Sequence, residues 1–368
     1  ETEYEPYVTY TGEHVDDVTI SIDYKGTEYE VYIDGNKVGD QTSGGLINVP
    51  RLTAGTHTLT VNYNGKSKSE EFTVRDWSFT ELQEAIDEAK DAGINNITLD
   101  HDYVFQGEED EPYIDIPEGM TINGNNHSID AKGSEDDVFV ADGEGVSISN
   151  LTINNANGAA IRSEYDNTNI TGITLNNNTG DAIVIEGNNA KVDDITSNDG
   201  TGKVVDIKGD NAEISQVSAN NQTGDLVTVD GDNTAVSDVT ANGGEGTAVN
   251  VKGDDANIED VKLNDHNGTG VSTDGTGATV SDVTATGGNG TVVDTKGDNT
   301  SVSGVNMTNH EGTGVSTEGT GSSVSDVKAE GGNGTVVDAK GDNATVSGVD
   351  MTNHEGTGVS TEGTGSSV

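Results

Sequence analysis

From residue 144 onward, apolar and polar positions recur every 22 residues, with no insertion between Glu144 and Gly363. The column Ile183, Val205, Val227, Val249, Val271, Val293, Val315, Val337 and Val359 is β-branched in every turn. A second pair of apolar columns, such as Val280 with Val283 and Val302 with Val305, is spaced by three. A flat strand alternates with a period of two, so a bend must fall between the members of each pair. Self-similarity at a fixed period marks a solenoid, and no window carries the 3.6-residue period of a helix. The repeats are therefore expected to form a right-handed parallel β-helix, each 22-residue turn holding about three short strands and three corners.

Two columns are glycine almost throughout, one from Gly180 to Gly356 and the other from Gly187 to Gly363. Such a column requires either positive φ at a corner or close approach of neighbouring backbone. Core volumes alternate as well. Leu263, Met307 and Met351 occur in turns that carry Gly270, Gly314 and Gly358, whereas the intervening turns pair Ala285 and Ala329 with Val292 and Val336. An interior of fixed volume requires this compensation if the two positions meet inside one turn. The unit of duplication is accordingly 44 residues: blocks 276–319 and 320–363 differ at only eight positions. A further column reads Lys208, Asp230, Lys252, Asp274, Lys296, Glu318, Lys340, Glu362. Stacked roughly 4.8 Å apart, these alternating charges would stabilise one register and penalise a slip of one turn.

The N-terminal part follows other rules. "DVTISIDY", "TEYEVYID", "HTLTVNY" and "EEFTV" alternate as half-buried strands do, with turn sequences "DGNKVGD" and "NYNGKS" between them. Residues 1–76 are read as a β-sandwich that resembles the immunoglobulin-like modules of prokaryotic surface proteins, which implies a spacer or docking role. Then "WSFTELQEAIDEAKDAG" offers Ser78 as N-cap, Glu81 completing a capping box, and Gly93 as the stop. Phe79, Leu82, Ile86 and Ala89 share one face of this helix, which suits a cap over the open end of a repeat array. The expected organisation is all-β: sandwich 1–76, capping helix and irregular first turns 77–143, regular repeats 144–368. All 15 aromatic residues lie before residue 166. Recognition or subunit contact is therefore expected there and not on the repeats.

Charge changes the functional reading. With 66 acidic against 17 basic side chains, the net charge of −49 excludes nucleic acid as a partner. No apolar run is long enough to span a membrane. Cysteine is absent, so packing, backbone pairing or ions must hold the chain together.

The segment "FTELQEAIDEAKDAGINNITLDHDYVF" with "IPEGMTINGNNHSIDAKG" resembles the start of the β-helix in archaeal adhesin-like surface proteins, especially those of methanogens. The resemblance implies an extracellular, cell-surface protein of the pectin-lyase-like fold, non-catalytic, forming a stalk or filament. It also implies other copies of itself, cell-surface components, glycans or host cells as partners. The strict period and the acidity depart from the usual pattern. Two alternatives are a polysaccharide lyase or hydrolase of the same fold, and a viral tail fibre or spike.

Candidate chemistry is sparse. Asp193 and Asp194 resemble the acid pair of polygalacturonases, but no histidine or lysine motif accompanies them. A catalytic site is unique, whereas these turns are near copies. Asp210, Asp232 and Asp254 stack on successive turns; the column is either solvated acidic surface or a place where Ca²⁺ bridges neighbours. No other cofactor is implied. His266, His310 and His354 recur every second turn, too far apart to share a metal, and are expected as solvent-facing corner residues. Asn96, Asn150, Asn267, Asn289, Asn333 and Asn343 head Asn-X-Thr sequons and are candidate glycosylation sites. "TGSSV" at the end repeats residues 320–324, so further repeats are expected beyond it, or docking onto another subunit with the edge-like "EYEPYVTYTG" as its partner.

Overall fold

The computed structural model describes residues 7–23, 28–41, 45–107 and 113–368. The first four residues of "EYEPYVTYTG" lie outside that set. Seven strands come first: β1 (Tyr7–Thr11), β2 (Thr19–Asp23), β3 (Tyr29–Ile33), β4 (Asn36–Gln41), β5 (Gly45–Asn48), β6 (Gly55–Tyr63) and β7 (Lys66–Val74). They form two antiparallel sheets, ordered β1-β2-β5 and β4-β3-β6-β7. Ile20 and Ile22 from one sheet and Val31, Leu59, Val61 and Phe72 from the other bury one shared core. Asp34-Gly35 and Asn64-Gly65 both have positive φ, the two-residue turns that match the twist of a hairpin.

The helix α1 (Phe79–Asp91) starts at Ser78 with both halves of the capping box formed. Phe79, Leu82 and Ile86 are buried against Leu99, Ile114 and Ile116, so the helix closes the end of the solenoid core. Gln83 goes further. Its amide carbonyl accepts the Asp115 N–H at 2.7 Å and its NH₂ donates to the Asp115 carbonyl at 3.2 Å. One side chain thus satisfies backbone at the edge of the 12-stranded sheet, whose terminal strand is Ile114–Pro117 among the described residues.

The repeats stack as a parallel β-helix. Short strands, from Ile114–Pro117 to Thr357–Thr361, build a 12-stranded sheet. Long strands, from Ser147–Asn154 to Thr345–Thr352, build a second, 14-stranded sheet together with the first turns. Every long strand is bent. In the first turns its two halves are separate, Thr121–Asn123 pairing Ser147 onward and Ser128–Asp130 pairing Thr152 onward. "IPEGMTINGNNHSIDAKG" therefore makes one complete turn of three strands. Later the halves fuse across a left-handed residue such as Asp282, which lies between Val280 and Val283. At about 4.8 Å per turn, ten regular turns span about 50 Å.

Three columns are left-handed in every turn, for example Asp282 (φ 56), Gly287 (φ 66) and Asn299 (φ 55), and Gly244, Gly288 and Gly332 add a fourth position in their turns. Asparagine, aspartate and glycine interchange in these columns because they tolerate that conformation best. The two all-glycine columns do something else. Only Gly334 among them has positive φ. A Cβ on Gly253 would lie 2.0 Å from the Gly231 carbonyl oxygen, and one on Gly246 would lie 2.3 Å from that of Gly224. Close stacking of backbone, and not corner geometry, fixes glycine there.

Volume compensation inside the turn is direct. A Cβ on Gly270 would meet Leu263 Cδ1 at 2.4 Å, and one on Gly314 would meet Met307 Cε at 2.5 Å. The interior also holds hydroxyls. Thr273 and Thr317 are fully buried, and neither Oγ1 has a hydrogen-bond partner. Thr273→Val and Thr317→Val keep the shape and remove the unpaired hydroxyl. Each should raise stability by about 1–2 kcal/mol in a denaturant titration. No gain would mean that the hydroxyl is bound, for instance by water.

Candidate functional site

The polar side chains of the shaft stand in columns along its axis. In the charged column, Asp230 is held from both sides, by Lys208 Nζ at 3.0 Å and Lys252 Nζ at 2.8 Å. Lys296 lies 3.0 Å from Asp274, and Lys340 lies 3.8 Å from Glu318, with Glu362 adding to its field. Partial burial alone would raise the Asp230 carboxyl; the two ammonium groups outweigh it and hold it below the usual carboxylate range. Lys252→Glu with Lys296→Glu would set each new acid between acids. The expected result is a lower melting temperature that recovers with salt, since each exposed pair is worth only about 0.2–1 kcal/mol. An unchanged melting temperature at low ionic strength would mean that the ladder contributes nothing.

Asp210, Asp232 and Asp254 each bond the backbone of the next turn. The Asp232 N–H donates to Asp210 Oδ1 at 2.9 Å, the Asp254 N–H to Asp232 at 2.8 Å, and the Thr276 N–H to Asp254 at 2.7 Å. Each carboxylate caps an amide one turn further on, so the stacked acids share their charge with the backbone. The same contact from Thr364, through its amide and hydroxyl, holds the Asp342 carboxyl below its ordinary range. Among the described residues no group of three or more acidic, histidine or cysteine side chains gathers where a metal could sit.

Asp193 and Asp194 separate in the same way. Ser215 Oγ donates to Asp193 at 2.6 Å, whereas Asp194 (φ 55) is the bend residue of its strand. Arg162, the one arginine of the repeats, is engaged by Asp137. The six sequon asparagines are all exposed.

The histidines overturn their expected placement. His266 and His310 are buried and His354 is half-buried. The Nδ1 of each lies 2.9–3.0 Å from the Gly243, Gly287 or Gly331 carbonyl of the turn before. A buried imidazole plugs a glycine-rich corner and satisfies its backbone. Asn178 and Gln222 do this in earlier turns, through bonds to Ala156 N and Gly202 O. The signal was the alternation with glycine at Gly200, Gly244, Gly288 and Gly332: large side chains need an empty neighbour.

A further ladder is made of asparagine. The Nδ2 of Asn176 donates to Asn154 Oδ1 at 2.9 Å, and the contact repeats through Asn198, Asn220, Asn242 and Asn264 at 2.8–3.0 Å. Stacked amides commit donor and acceptor along the axis. Beside another corner runs an open polar groove of about 620 Å³, where Thr247, Asn267, Thr269, Asn289 and Thr291 line up and no aromatic ring is present.

Side chains from distant parts of the chain do converge at the junction between the N-terminal sheets and the capped end. His14, Trp77 and His101 stack, with ring centroids 3.5 and 4.0 Å apart. Asp16 accepts Trp77 Nε1–H at 2.7 Å and lies 2.9 Å from His101 Nδ1. Glu81 receives both terminal nitrogens of Arg75, at 2.7 and 2.8 Å, and the Ser78 N–H at 2.8 Å. Burial pushes its carboxyl up, but the Arg75 guanidinium, the Ser78 amide and His14 outweigh burial and bring it down to about 2. Burial carries the Tyr103 hydroxyl up to about 12. The two apolar cores stay separate on either side of this polar seam.

No family model matches the chain, and no curated protein matches it in sequence. Among solved structures it is similar in fold to a double mutant of the tailspike protein of E. coli bacteriophage HK620. The identity is 11% over 77% of this chain and 78% of that one, with a TM-score of 0.42. It is also similar to the catalytic domain of a GH87 alpha-1,3-glucanase in complex with nigerose, at 10% identity, covering 98% and 96%, with a TM-score of 0.39. The A-module of a mannuronan C-5 epimerase of Azotobacter vinelandii shares 12% identity over 79% of this chain and 95% of its own, with a TM-score of 0.32. These likenesses concern the parallel β-helix.

Proposed function

We propose that this chain is a non-catalytic shaft of an extracellular surface fibre, holding the N-terminal sheets away from the surface that bears it. The observation behind this reading is the commitment of the shaft's polar side chains along the axis. Lysines bond to acids, asparagines to asparagines, and aspartates to amides, each one turn away. Such columns bind turns to one another, whereas glycoside hydrolysis or elimination needs an acid and a base poised at one unique site. Glycan cleavage is the reading to test against it. Purified chain incubated with polygalacturonate, alginate or alpha-1,3-glucan, with and without Ca²⁺, should release no reducing ends and no unsaturated products. Turnover that Asp194→Asn abolishes would replace the shaft with an enzyme. Immunogold labelling of intact cells or particles should place the chain outside; labelling only after lysis would contradict the extracellular part.

A further inference from the structure

His57 is a buried titratable group that belongs neither to the shaft nor to the junction; it stands on β6, inside the N-terminal sheets. Its two ring nitrogens face acceptors on two different connections. Nδ1 lies 2.5 Å from Asp34 Oδ2, in the turn between β3 and β4. Nε2 lies 2.6 Å from the Thr53 carbonyl oxygen, in the loop between β5 and β6. A carboxylate and a carbonyl accept and do not donate. A neutral imidazole has one N–H and would set a lone pair against one of them, so only the doubly protonated ring completes both bonds.

The surroundings fix this pair in place. Asp34 is anchored to the strand that carries the histidine: its Oδ1 accepts the Thr58 N–H at 2.8 Å, and its own N–H donates to the Thr58 carbonyl at 2.9 Å. Across the sheet, on β7, Phe72 stands opposite His57 with ring centroids 5.9 Å apart, and the neighbouring Glu71 is exposed. Arg51, on the same loop as Thr53, is turned to Asp16 and Asp102. Asp34 is the charged side chain that acts on the ring. Its bond and that to Thr53 raise the imidazole above its ordinary value of 6.5, against burial, which lowers it. The same bond and the Thr58 amide hold the Asp34 carboxyl below its ordinary 3.8. The two partners shift in opposite directions, as a mutually stabilised pair must.

We propose that His57 is a pH-sensitive clamp: doubly protonated, it ties the β3–β4 turn to the β5–β6 loop, and on losing a proton it loosens that part of the N-terminal sheets. The sign follows from linkage. A base raised in the folded state contributes stability that is complete below 6.5 and is lost as pH rises through the higher folded value. Asp34 sets the other limit, since its contribution is present above 3.8 and fades as pH falls below it. The clamp is closed between those limits, and the shaft holds no part of it.

Imidazole NMR of the full chain tests the proton, and hydrogen exchange tests the clamp. Among the seven histidines, the His57 signal is the one missing from His57→Gln. Its midpoint should lie above 6.5 and should fall in Asp34→Asn. Exchange protection over residues 29–41 and 55–63, corrected for intrinsic rates, should drop about threefold or more between about pH 6 and about pH 9, while the solenoid keeps its protection. In His57→Gln that drop should vanish, with protection low at both values. Should this variant fail to fold, Asp34→Asn decides alone, since it keeps an acceptor for the Thr58 amide and removes the charge. A His57 midpoint at or below 6.5, one that Asp34→Asn leaves unmoved, or a drop that survives in His57→Gln would each overturn the proposal.

Discussion

Gly253→Ala should lower the stability of the shaft by roughly 3 kcal/mol or more, at the upper end of overpacking effects. The added methyl would sit 2.0 Å from the Gly231 carbonyl oxygen. That oxygen belongs to backbone fixed by the turn before, so no rotamer change can clear it, and the turns must separate locally. Gly321→Asn is the matched control. Gly321 has φ +73, and its column carries Asn299 and Asn343, which adopt φ 55. The nearest atom to an added Cβ there is the end of the Asn299 side chain, at 2.8 Å. It should change stability by less than about 1 kcal/mol. Equilibrium unfolding of both variants by circular dichroism separates the two kinds of glycine. Similar losses in both would remove backbone stacking as the reason for the glycine columns.

Glu81→Ala should be the most damaging single change at the N-terminal end, by about 2–3 kcal/mol, because it leaves Arg75 and His14 facing a lost partner, with the loss at the half-exposed Arg75 damped by solvent. It also removes half of a capping box, a further contribution of about 1 kcal/mol. Glu81→Gln separates the effects, since glutamine can still accept the Ser78 N–H. The pH dependence has a definite sign. The folded-state carboxyl lies near 2, below its ordinary value of 4.5, so its stabilisation is complete above that ordinary value and fades as pH falls toward 2. The parent chain should keep hydrogen-exchange protection of α1 down to about pH 3 and lose it below. Glu81→Gln should start lower and show a flatter acid limb. Identical acid limbs in both would remove Glu81 as the group that titrates.

Much of this was legible in the sequence because it depends on spacing. The 22-residue period, the bend between Val280 and Val283, the pairing of Met307 with Gly314 and the capping box at Ser78 each follow from which residue stands where. Direction was not legible. Asp210, Asp232 and Asp254 read as stacked acids in a column, and only their orientation shows that each one caps an amide. His310 looks exposed because its neighbours are polar, but a corner lined by Gly287, Gly288 and Gly290 leaves a socket for its ring. The left-handed corners stayed hidden because asparagine, aspartate and glycine share them, so those columns look variable. The junction was hidden for another reason: His14, Arg51, Trp77 and His101 are far apart in the chain and belong to no repeat.

Deletion of one repeat unit tests the shaft most directly. Removing residues 276–319 joins Gly275 to Thr320, sets Ala329 after Leu263, and places Lys340 after Asp274, so core volumes and charges still alternate. Removing only residues 276–297 sets Met307 on Leu263, Gly314 on Gly270, and Glu318 on Asp274. Small-angle scattering and thermal melting of both deletions, beside the parent, decide between the outcomes. A spacer built in 44-residue units predicts that the first deletion folds with an unchanged melting temperature and is shorter by two rungs, about 10 Å. It predicts that the second melts markedly lower. Equal stability of the two deletions, or loss of folding in the first, would contradict the account.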